Sequence, residues 1–228
     1  MKVIVFGKNK GKIEPAVRAA GFTIVDEDPQ FVVTYGGDGT VMRAERAHPG
    51  IPKIVLKDSL ICKKCSQISN EEVLALVRRD RYTIEESMKI EATAQGKTLY
   101  AMNDIALHNE DARHAIRYAV SVNGKPVGGT IIGDGVVVST PFGSTAYYRS
   151  ITDSFFEVGL GLAFNNSTEQ SDHMVLKENS EIKLTILRGP AVLYADNQKD
   201  TVLVDRDAEV VFRKSPHMVR IVIPSPEA

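Results

Sequence analysis

The sequence predicts an α/β N-terminal layer followed by a mostly β C-terminal domain. Up to about residue 81, short apolar segments alternate with amphipathic ones, as strands and helices do in a small parallel sheet. From Tyr82 onward, alternating apolar and polar residues are interrupted by turn dipeptides such as Asn123-Gly124 and Asp134-Gly135, which is typical of antiparallel strands. We therefore place the two domains at residues 1–81 and 82–228.

The elements of the first domain follow from its hydrophobic pattern. Strands are predicted over 3–6, 31–35 and 54–56, and helices over 13–20 and 41–47. Ser69-Asn70-Glu71-Glu72 has the form of a capping box and predicts a helix that continues to about Arg79. In the second domain we expect mostly strands, with one short helix after Gly143.

The amino-acid composition and net charge indicate which classes of binding partner to expect. The 228 residues are 43% hydrophobic and 25% charged, enough for a sizeable core, and the formal net charge is −1. Such a charge gives no long-range attraction to nucleic acid or to an anionic membrane, so we expect neither partner and favour a small anionic ligand held by local groups. No apolar run is long enough to span a bilayer, and residues 1–7 do not resemble a signal peptide, so we expect a cytoplasmic protein.

Both cysteines lie in the segment Cys62-Lys63-Lys64-Cys65. Two cysteines alone cannot supply the four thiolates of a closed zinc site, and they exclude a disulfide framework. A redox pair and two reduced cysteines both remain open, and we assign the pair no function and no metal.

The most informative segment is Gly36-Gly37-Asp38-Gly39-Thr40, which directly follows the predicted strand over 31–35. Glycines between a strand and a helix let backbone amides approach an anionic phosphate closely, while the carboxylate stays at the carboxyl end of the strand. The pattern predicts a phosphate loop formed by Gly36, Gly37, Gly39 and Thr40. A tight glycine turn with no ligand is the alternative.

A second motif spans residues 134–147 and reads DGVVVSTPFGSTAY. With GGDGT before it, and with Asn103-Asp104 in a predicted strand between the two, the chain resembles the ATP-dependent NAD kinase family. The family pattern is GGDGT, then Asn-Glu or Asn-Asp, then DGxxVSTPxGSTAY, and all three parts occur here in that order. GGDGT alone is weak, because diacylglycerol kinases and phosphofructokinases carry similar loops, whereas the long motif is specific.

The resemblance implies an NAD kinase-like two-domain architecture, with the active site between the domains and the final strands returning to the first domain. It implies transfer of the γ-phosphoryl of ATP to the adenosine ribose 2′-hydroxyl of NAD, giving NADP. The ligands would be NAD and ATP with a divalent metal, Mg²⁺. The family also suggests a homodimer or homotetramer.

Asp38 matches the catalytic residue of the family. A carboxylate beside a bound ribose can accept the proton of the 2′-hydroxyl, and it can also bind the magnesium that accompanies ATP. A third role, capping the following helix, is compatible with both. The resemblance implies that the acidic member of Asn103-Asp104 holds ribose hydroxyls and that the asparagine contacts an amide or base edge.

The full set of substrate-binding residues carried over from the family comes from GGDGT, the Asn-Asp pair, the long motif with the three residues after it, and three single positions elsewhere in the chain. These are Asp38, Gly39, Arg43, Asn103, Asp104, His114, Asp134, Thr145, Ala146, Tyr147, Tyr148, Arg149, Ser150 and Gln198. Gln198 belongs to Asp196-Asn197-Gln198, which resembles the Asp-Gly-Gln turn of the family. For Arg43 and His114 an ordinary solvated side chain is the alternative.

Three departures from the family pattern bear on the pocket wall. Phe142 stands where a small hydroxyl is usual, Ile132 replaces a basic residue, and a Gly-Gly-Pro segment after the long motif is nearly absent. Two other functions are therefore kept: a kinase of another small molecule, and a non-catalytic nucleotide-binding regulator on the same fold.

Overall fold

The computed structural model describes residues 1–58, 65–168 and 172–226. These residues form two compact units, Met1–Ser87 together with the C-terminal residues from Met218, and Met88–His217. Two strands pass from one unit into the other, β5 (Tyr82–Ala94) and β16 (Glu209–Pro224). The α/β first part and the mostly β second part confirm the predicted fold class, and the structure places the first boundary inside β5, between Ser87 and Met88.

The first unit is a parallel sheet with helices. Its elements are β1 (Lys2–Phe6), α1 (Lys10–Ala19), β2 (Thr23–Ile24), β3 (Phe31–Gly36), α2 (Asp38–Ala47), β4 (Lys53–Lys57) and α3 (Asn70–Arg78). The strand order is β2-β1-β3-β4, and Ile221 and Val222 of β16 pair in parallel with Lys53 and Ile54. The predicted helix start is confirmed, because Ser69 is the N-cap of α3 and its hydroxyl accepts from the backbone N–H of Glu72 at 3.1 Å.

Apolar side chains from one face of this sheet pack with those of α1 and α3 in one core, which includes Val3, Val33, Ile54, Leu74 and Val222. Burial of such side chains contributes about 1.5 to 3 kcal/mol each to folding.

A buried ion pair fixes α2 against β4. Lys53 contacts Glu45, both side chains are almost fully buried, and Lys53 Nζ also donates to the carbonyl of His48 at 2.8 Å. Pairing of this kind is required of buried charges, and it holds the C-terminal half of the helix that begins at Asp38.

The second unit is mostly antiparallel. Its remaining elements are β6 (Lys97–Ala101), β7 (Asp104–Asn109), β8 (Ile116–Val122), β9 (Lys125–Gly133), β10 (Gly135–Ser139), α4 (Tyr147–Thr152), β11 (Leu160–Asn165), β12 (His173–Leu176), β13 (Ile182–Arg188), β14 (Ala191–Ala195) and β15 (Thr201–Val204). One sheet has the order β12-β11-β10-β7-β14-β15, and a second group pairs as β16-β13-β8-β9. The predicted short helix after Gly143 is α4.

Two predictions about local structure are wrong. Helix α2 begins at Asp38, not at residue 41, so most of GGDGT is the first turn of a helix and not a loop. Asn103 lies outside the strand, in the bend before β7, because Asp104 is the first residue that pairs with β10. The two members of the Asn-Asp pair are therefore not adjacent strand residues facing opposite sides.

Cys62 lies outside the described residues, so the two alternatives for the cysteine pair stay as stated. Among the residues that are described, no helix is long and apolar enough to cross a membrane.

Candidate active site

The GGDGT segment joins β3 to α2 at the carboxyl end of the parallel sheet. Gly36 is the last residue of β3, Gly37 is the N-cap of α2 in an extended conformation, and Asp38 opens the helix. A side chain on Gly36 would collide with the Thr40 hydroxyl, so glycine is required there for the tight passage from strand to helix. The first N–H groups of a helix attract anions, which preserves the predicted phosphate chemistry although the geometry is not that of a loop.

Other polar groups of the first unit lie at the same edge of the sheet. Asn9 Nδ2 donates to Asp58 Oδ2 at 2.7 Å, and these residues follow β1 and β4. The hydrogen bond from Asn9, followed by one from Tyr35, holds the pKa of Asp58 below its usual range. Arg43 Nη2 donates to Thr40 Oγ1 at 3.2 Å within α2, and its side chain is exposed. The carboxyl edge of a parallel sheet is where ligands bind in α/β folds.

In the second unit, the backbone of Asn103 is held from one side by the STPFGS turn. Its carbonyl accepts from the N–H of Thr140 at 2.9 Å and from the hydroxyls of Ser139 and Thr140, each at 3.2 Å. A side chain on Gly143 would collide with the Asn103 carbonyl, so the turn approaches the Asn103 backbone closely only because residue 143 is glycine. The second family motif therefore supports the Asn-Asp pair.

Asp196 holds the same backbone from the other side. Its carboxylate accepts from three successive N–H groups, those of Met102 at 3.0 Å, Asn103 at 2.8 Å and Asp104 at 3.3 Å. In return, the N–H of Asp196 donates to the carbonyl of Asp104 at 2.9 Å. The sequence pattern identifies Asp196 only as part of the Asp196-Asn197-Gln198 turn, so this residue is absent from the predicted site.

Both side chains of the Asn-Asp pair are prepared for a ligand. Asn103 Oδ1 is buried and has no hydrogen-bond partner among the described residues, which is unusual for a buried amide oxygen. Asp104 is only 8% exposed, and burial, followed by the nearby charge of Asp196, raises its pKa to about 7. A carboxylate in this environment gains from ligand hydroxyls that replace the water it has lost.

The two carboxylate oxygens of Asp134 accept hydrogen bonds from two asparagine side-chain amides. Asn109 Nδ2 donates to Asp134 Oδ1 at 3.4 Å and to the carbonyl of His114 at 3.0 Å, and Asn166 Nδ2 donates to Asp134 Oδ2 at 3.0 Å. Asn109 Oδ1 is a second buried amide oxygen with no partner in the described part of the chain. The His114 ring itself is exposed and lies 3.2 Å from Asp111.

Tyr147 lies close enough to the acidic residues to be affected by them. Its hydroxyl accepts from Asn165 Nδ2 at 3.1 Å and is also hydrogen-bonded to Tyr194. Burial raises the pKa of Tyr147, and the charges of Asp104 and Asp134 raise it further. The structure thus brings together Asp104, Asp134 and Tyr147, and it adds Tyr194, which the sequence analysis missed because the family pattern gave no signal there.

The other residues predicted to contact the substrate differ in their exposure and in the groups that surround them. The Tyr148 ring is fully buried in a small core cluster with Phe156 and Ala163, so it packs against protein. Ala146, Arg149 and Ser150 are exposed, and the Arg149 guanidinium lies 6.0 Å from the centre of the Phe155 ring. Gln198 Nε2 donates to the carbonyl of Tyr100 at 2.6 Å. Thr145 and Phe142 are half-buried in the turn that precedes α4.

Asp38, Gly39 and Arg43 belong to the first unit, and the other predicted substrate contacts belong to the second. That both groups serve one site remains a prediction. Within the described residues no cluster of three or more His, Cys, Asp or Glu side chains is arranged to hold a metal ion. The residues fit a metal that arrives on nucleotide phosphates and needs one or two protein carboxylates.

Comparison with protein families matches residues 102–223 to the ATP-NAD kinase C-terminal domain. Among curated proteins, the NAD kinase of Sulfurisphaera tokodaii is 33% identical over 165 residues, which are 67% of this chain and 63% of that protein. The NAD kinase of Bacteroides fragilis is 32% identical over 132 residues, 54% of this chain and 45% of that protein. The aligned region therefore spans less than two thirds of these relatives.

Two solved structures share the fold. The crystal structure of yeast NADH kinase complexed with NADH matches 90% of this chain and 66% of its own, with a TM-score of 0.77 and 20% identity. That of an NAD kinase from Archaeoglobus fulgidus in complex with ATP matches 97% of this chain and 93% of its own, with a TM-score of 0.76 and 20% identity. At this level of identity the likeness establishes the architecture alone.

Proposed function

This chain belongs to the NAD kinase family, and we propose that it transfers the γ-phosphoryl of ATP to the adenosine ribose 2′-hydroxyl of NAD, giving NADP. The observation that carries the proposal is the Asn103-Asp104 pair. A buried amide oxygen without a partner and a buried carboxylate stand together at the start of β7, held there by both the STPFGS turn and Asp196. Vicinal ribose hydroxyls and an amino group are the donors that such a pair would accept.

Asp38 is the residue we assign to the chemical step. At the N-terminus of α2 its carboxylate would accept the proton of the attacking 2′-hydroxyl, while the N–H groups of the first helical turn favour the anionic phosphates. Phosphoryl transfer depends mainly on positioning and on neutralising charge, so one general base with oriented donors is a sufficient protein contribution. A divalent metal, Mg²⁺, would neutralise charge on the phosphoryl oxygens, and metal binding is the alternative role we propose for Asp38.

Tyr147 and its neighbours would receive the dinucleotide. Its half-buried ring offers a stacking face, and its hydroxyl is fixed by Asn165 and Tyr194. We assign Thr145, Asp134 and the second unpartnered amide oxygen, that of Asn109, to the same ligand. Arg43, His114, Arg149, Ser150 and Gln198 are proposed at the periphery of the two ligands, on the family pattern.

We also propose that the protein acts in the cytoplasm as a homodimer or homotetramer, with no membrane or nucleic-acid partner. The near-neutral charge supports a small-molecule ligand over a polyanion. Sedimentation of the purified protein at several concentrations tests the assembly.

The experiment that tests the function is direct. Purified protein is incubated with NAD, ATP and Mg²⁺, and NADP is measured with an NADP-specific dehydrogenase. NADH and a panel of sugar and lipid acceptors are tested in parallel. NADP formation supports the proposal; phosphorylation of another acceptor only would identify a different kinase, and nucleotide binding without any turnover would identify a regulator.

A further inference from the structure

We propose that Asp196 is a positioning residue for dinucleotide binding: its carboxylate holds the backbone of residues 102–104 in the one arrangement that presents the Asn103 amide and the Asp104 carboxylate to the ribose. The inference rests on the proposed function and adds a residue to that site. Asp196 follows β14, more than 90 positions along the chain from the pair that it holds.

The hydrogen bonds show how the arrangement is fixed. Three consecutive N–H groups that point at one carboxylate require a tight bend, and a neutral side chain cannot replace an anion that accepts three bonds. The return bond from the Asp196 N–H to the Asp104 carbonyl ties the turn after β14 to the first residue of β7. The Asn103 carbonyl accepts hydrogen bonds from the hydroxyls of Ser139 and Thr140. The Asn103 backbone is therefore held at both its N–H and its carbonyl.

The same carboxylate also acts electrostatically. Three groups face Asp104: Asp196 in the turn after β14, Tyr194 within β14 and Tyr147 at the start of α4. Burial raises the pKa of Asp196 itself, whereas its three backbone hydrogen bonds and the charge of Lys89 in β5 act in the opposite direction. Both tyrosines are neutral at ordinary pH, so Asp196 is the like charge that opposes ionisation of Asp104.

The informative variant is Asp196→Asn. Asp196 has a positive φ of 46°, a conformation that asparagine tolerates better than alanine does, so this substitution keeps the turn. The amide oxygen can still accept from Asn103 and Asp104, but the charge and the acceptor for the Met102 N–H are lost. The matched control is Asp200→Asn, which removes the same charge from an exposed position four residues further along the chain.

We expect Asp196→Asn to weaken NAD binding by about 10- to 100-fold in calorimetry, with ATP affinity changed by less than about 3-fold and Asp200→Asn like wild type. The pH dependence separates positioning from simple loss of structure. Wild-type NAD binding should strengthen as pH rises through about 7, because Asp104 becomes ionised. In Asp196→Asn this transition should move to lower pH, because the opposing charge is gone.

Unchanged NAD affinity in a folded Asp196→Asn protein, or an equal loss at every pH, would overturn the inference while leaving the proposed function intact. A wild-type protein that binds no NAD would overturn both.

If the variant does not fold, NMR of the wild-type protein without ligand tests the inference. The amide protons of residues 102–104 should exchange slowly, and the Asp104 carboxyl carbon should titrate near pH 7. Fast exchange would contradict the positioning role, and titration near pH 4 would contradict the electrostatic effect of burial and Asp196 on Asp104.

Discussion

The GGDGT segment follows the end of β3 and the Asn103-Asp104 pair stands at the start of β7, and the protein holds these two short polar motifs in different ways. Asp38 opens a helix at the sheet edge and is half-buried, with an exposed Arg43 one turn further along. Asp104 is 8% exposed. Its N–H donates to Asp196, and the carbonyl of the preceding residue, Asn103, accepts from Thr140. The comparison indicates that the pair we assign to recognition is fixed by hydrogen bonds inside one unit, whereas the carboxylate we assign to the chemical step is half-buried at the start of a helix in the other.

This difference gives an experimental criterion. Substitution of Asp38 should change turnover and leave stability almost unaltered. Substitutions around Asn103-Asp104 should change affinity and stability together, because the same contacts support both. The following predictions test that division, beginning with the largest effect.

Asp38→Asn should lower kcat by about 10²-fold or more while NAD and ATP still bind, because the amide preserves the shape but cannot accept the hydroxyl proton. Steady-state kinetics with calorimetry for each ligand measures this. The control is Asp26→Asn, an exposed carboxylate of the same unit. A kcat close to wild type would remove Asp38 from the role of general base.

Asp104→Ala should weaken NAD binding by about 1 to 3 kcal/mol, the usual cost of leaving buried hydroxyl groups unpaired, and should affect ATP less. Calorimetry with the two ligands separately measures the difference. Equal losses for NAD and ATP would mean that the effect reaches both units and is not specific to the dinucleotide.

Asp104→Asn should stabilise the protein at alkaline pH. The folded-state pKa of Asp104, about 7, lies above its unfolded value near 3.8, so ionisation destabilises the folded state as pH rises from about 4 to 7, and the full cost is present above 7. Asparagine avoids this cost, and we expect a gain of about 2 to 4 kcal/mol at pH 8 that disappears near pH 4. Urea unfolding at both pH values tests it, with Asp200→Asn as the control; no pH dependence in the gain would contradict the buried-carboxylate account.

The fold class and the candidate residues within the motifs could be predicted from the sequence alone. Alternation of apolar segments identified the parallel layer, and the turn dipeptides identified the antiparallel strands. The bend at Asn103 was not predictable, because local pattern favours a strand there and only contacts with Asp196 and Thr140 impose the bend. Asp196 and Tyr194 were missed for the same reason, since their partners are distant along the chain.

Tyr148 illustrates a related limit. It lies beside Tyr147 in the motif, yet one ring is half-buried near the acidic residues and the other fills the core against Phe156. Successive residues at a helix start point in different directions, so a run of family positions does not give every member the same surroundings.

Phe142→Thr should have the smallest effect. A ring in the turn that supports Asn103 can contact a base but cannot replace the hydrogen bond of a hydroxyl, so the preference between NAD and NADH should shift by less than about 10-fold. Comparison of kcat/KM for the two substrates measures it. An identical response of both substrates would mean that Phe142 has no bearing on specificity.

The central claim is that this chain phosphorylates the 2′-hydroxyl of the adenosine ribose of NAD. The most direct measurement is ³¹P NMR of the product formed from NAD, ATP and Mg²⁺ by the wild-type protein, with Asp38→Asn as the parallel sample. We predict a new 2′-phosphomonoester signal in the wild-type reaction, and almost none with the variant over the same time. No phosphomonoester on NAD, or a phosphate at another hydroxyl, would contradict the assignment.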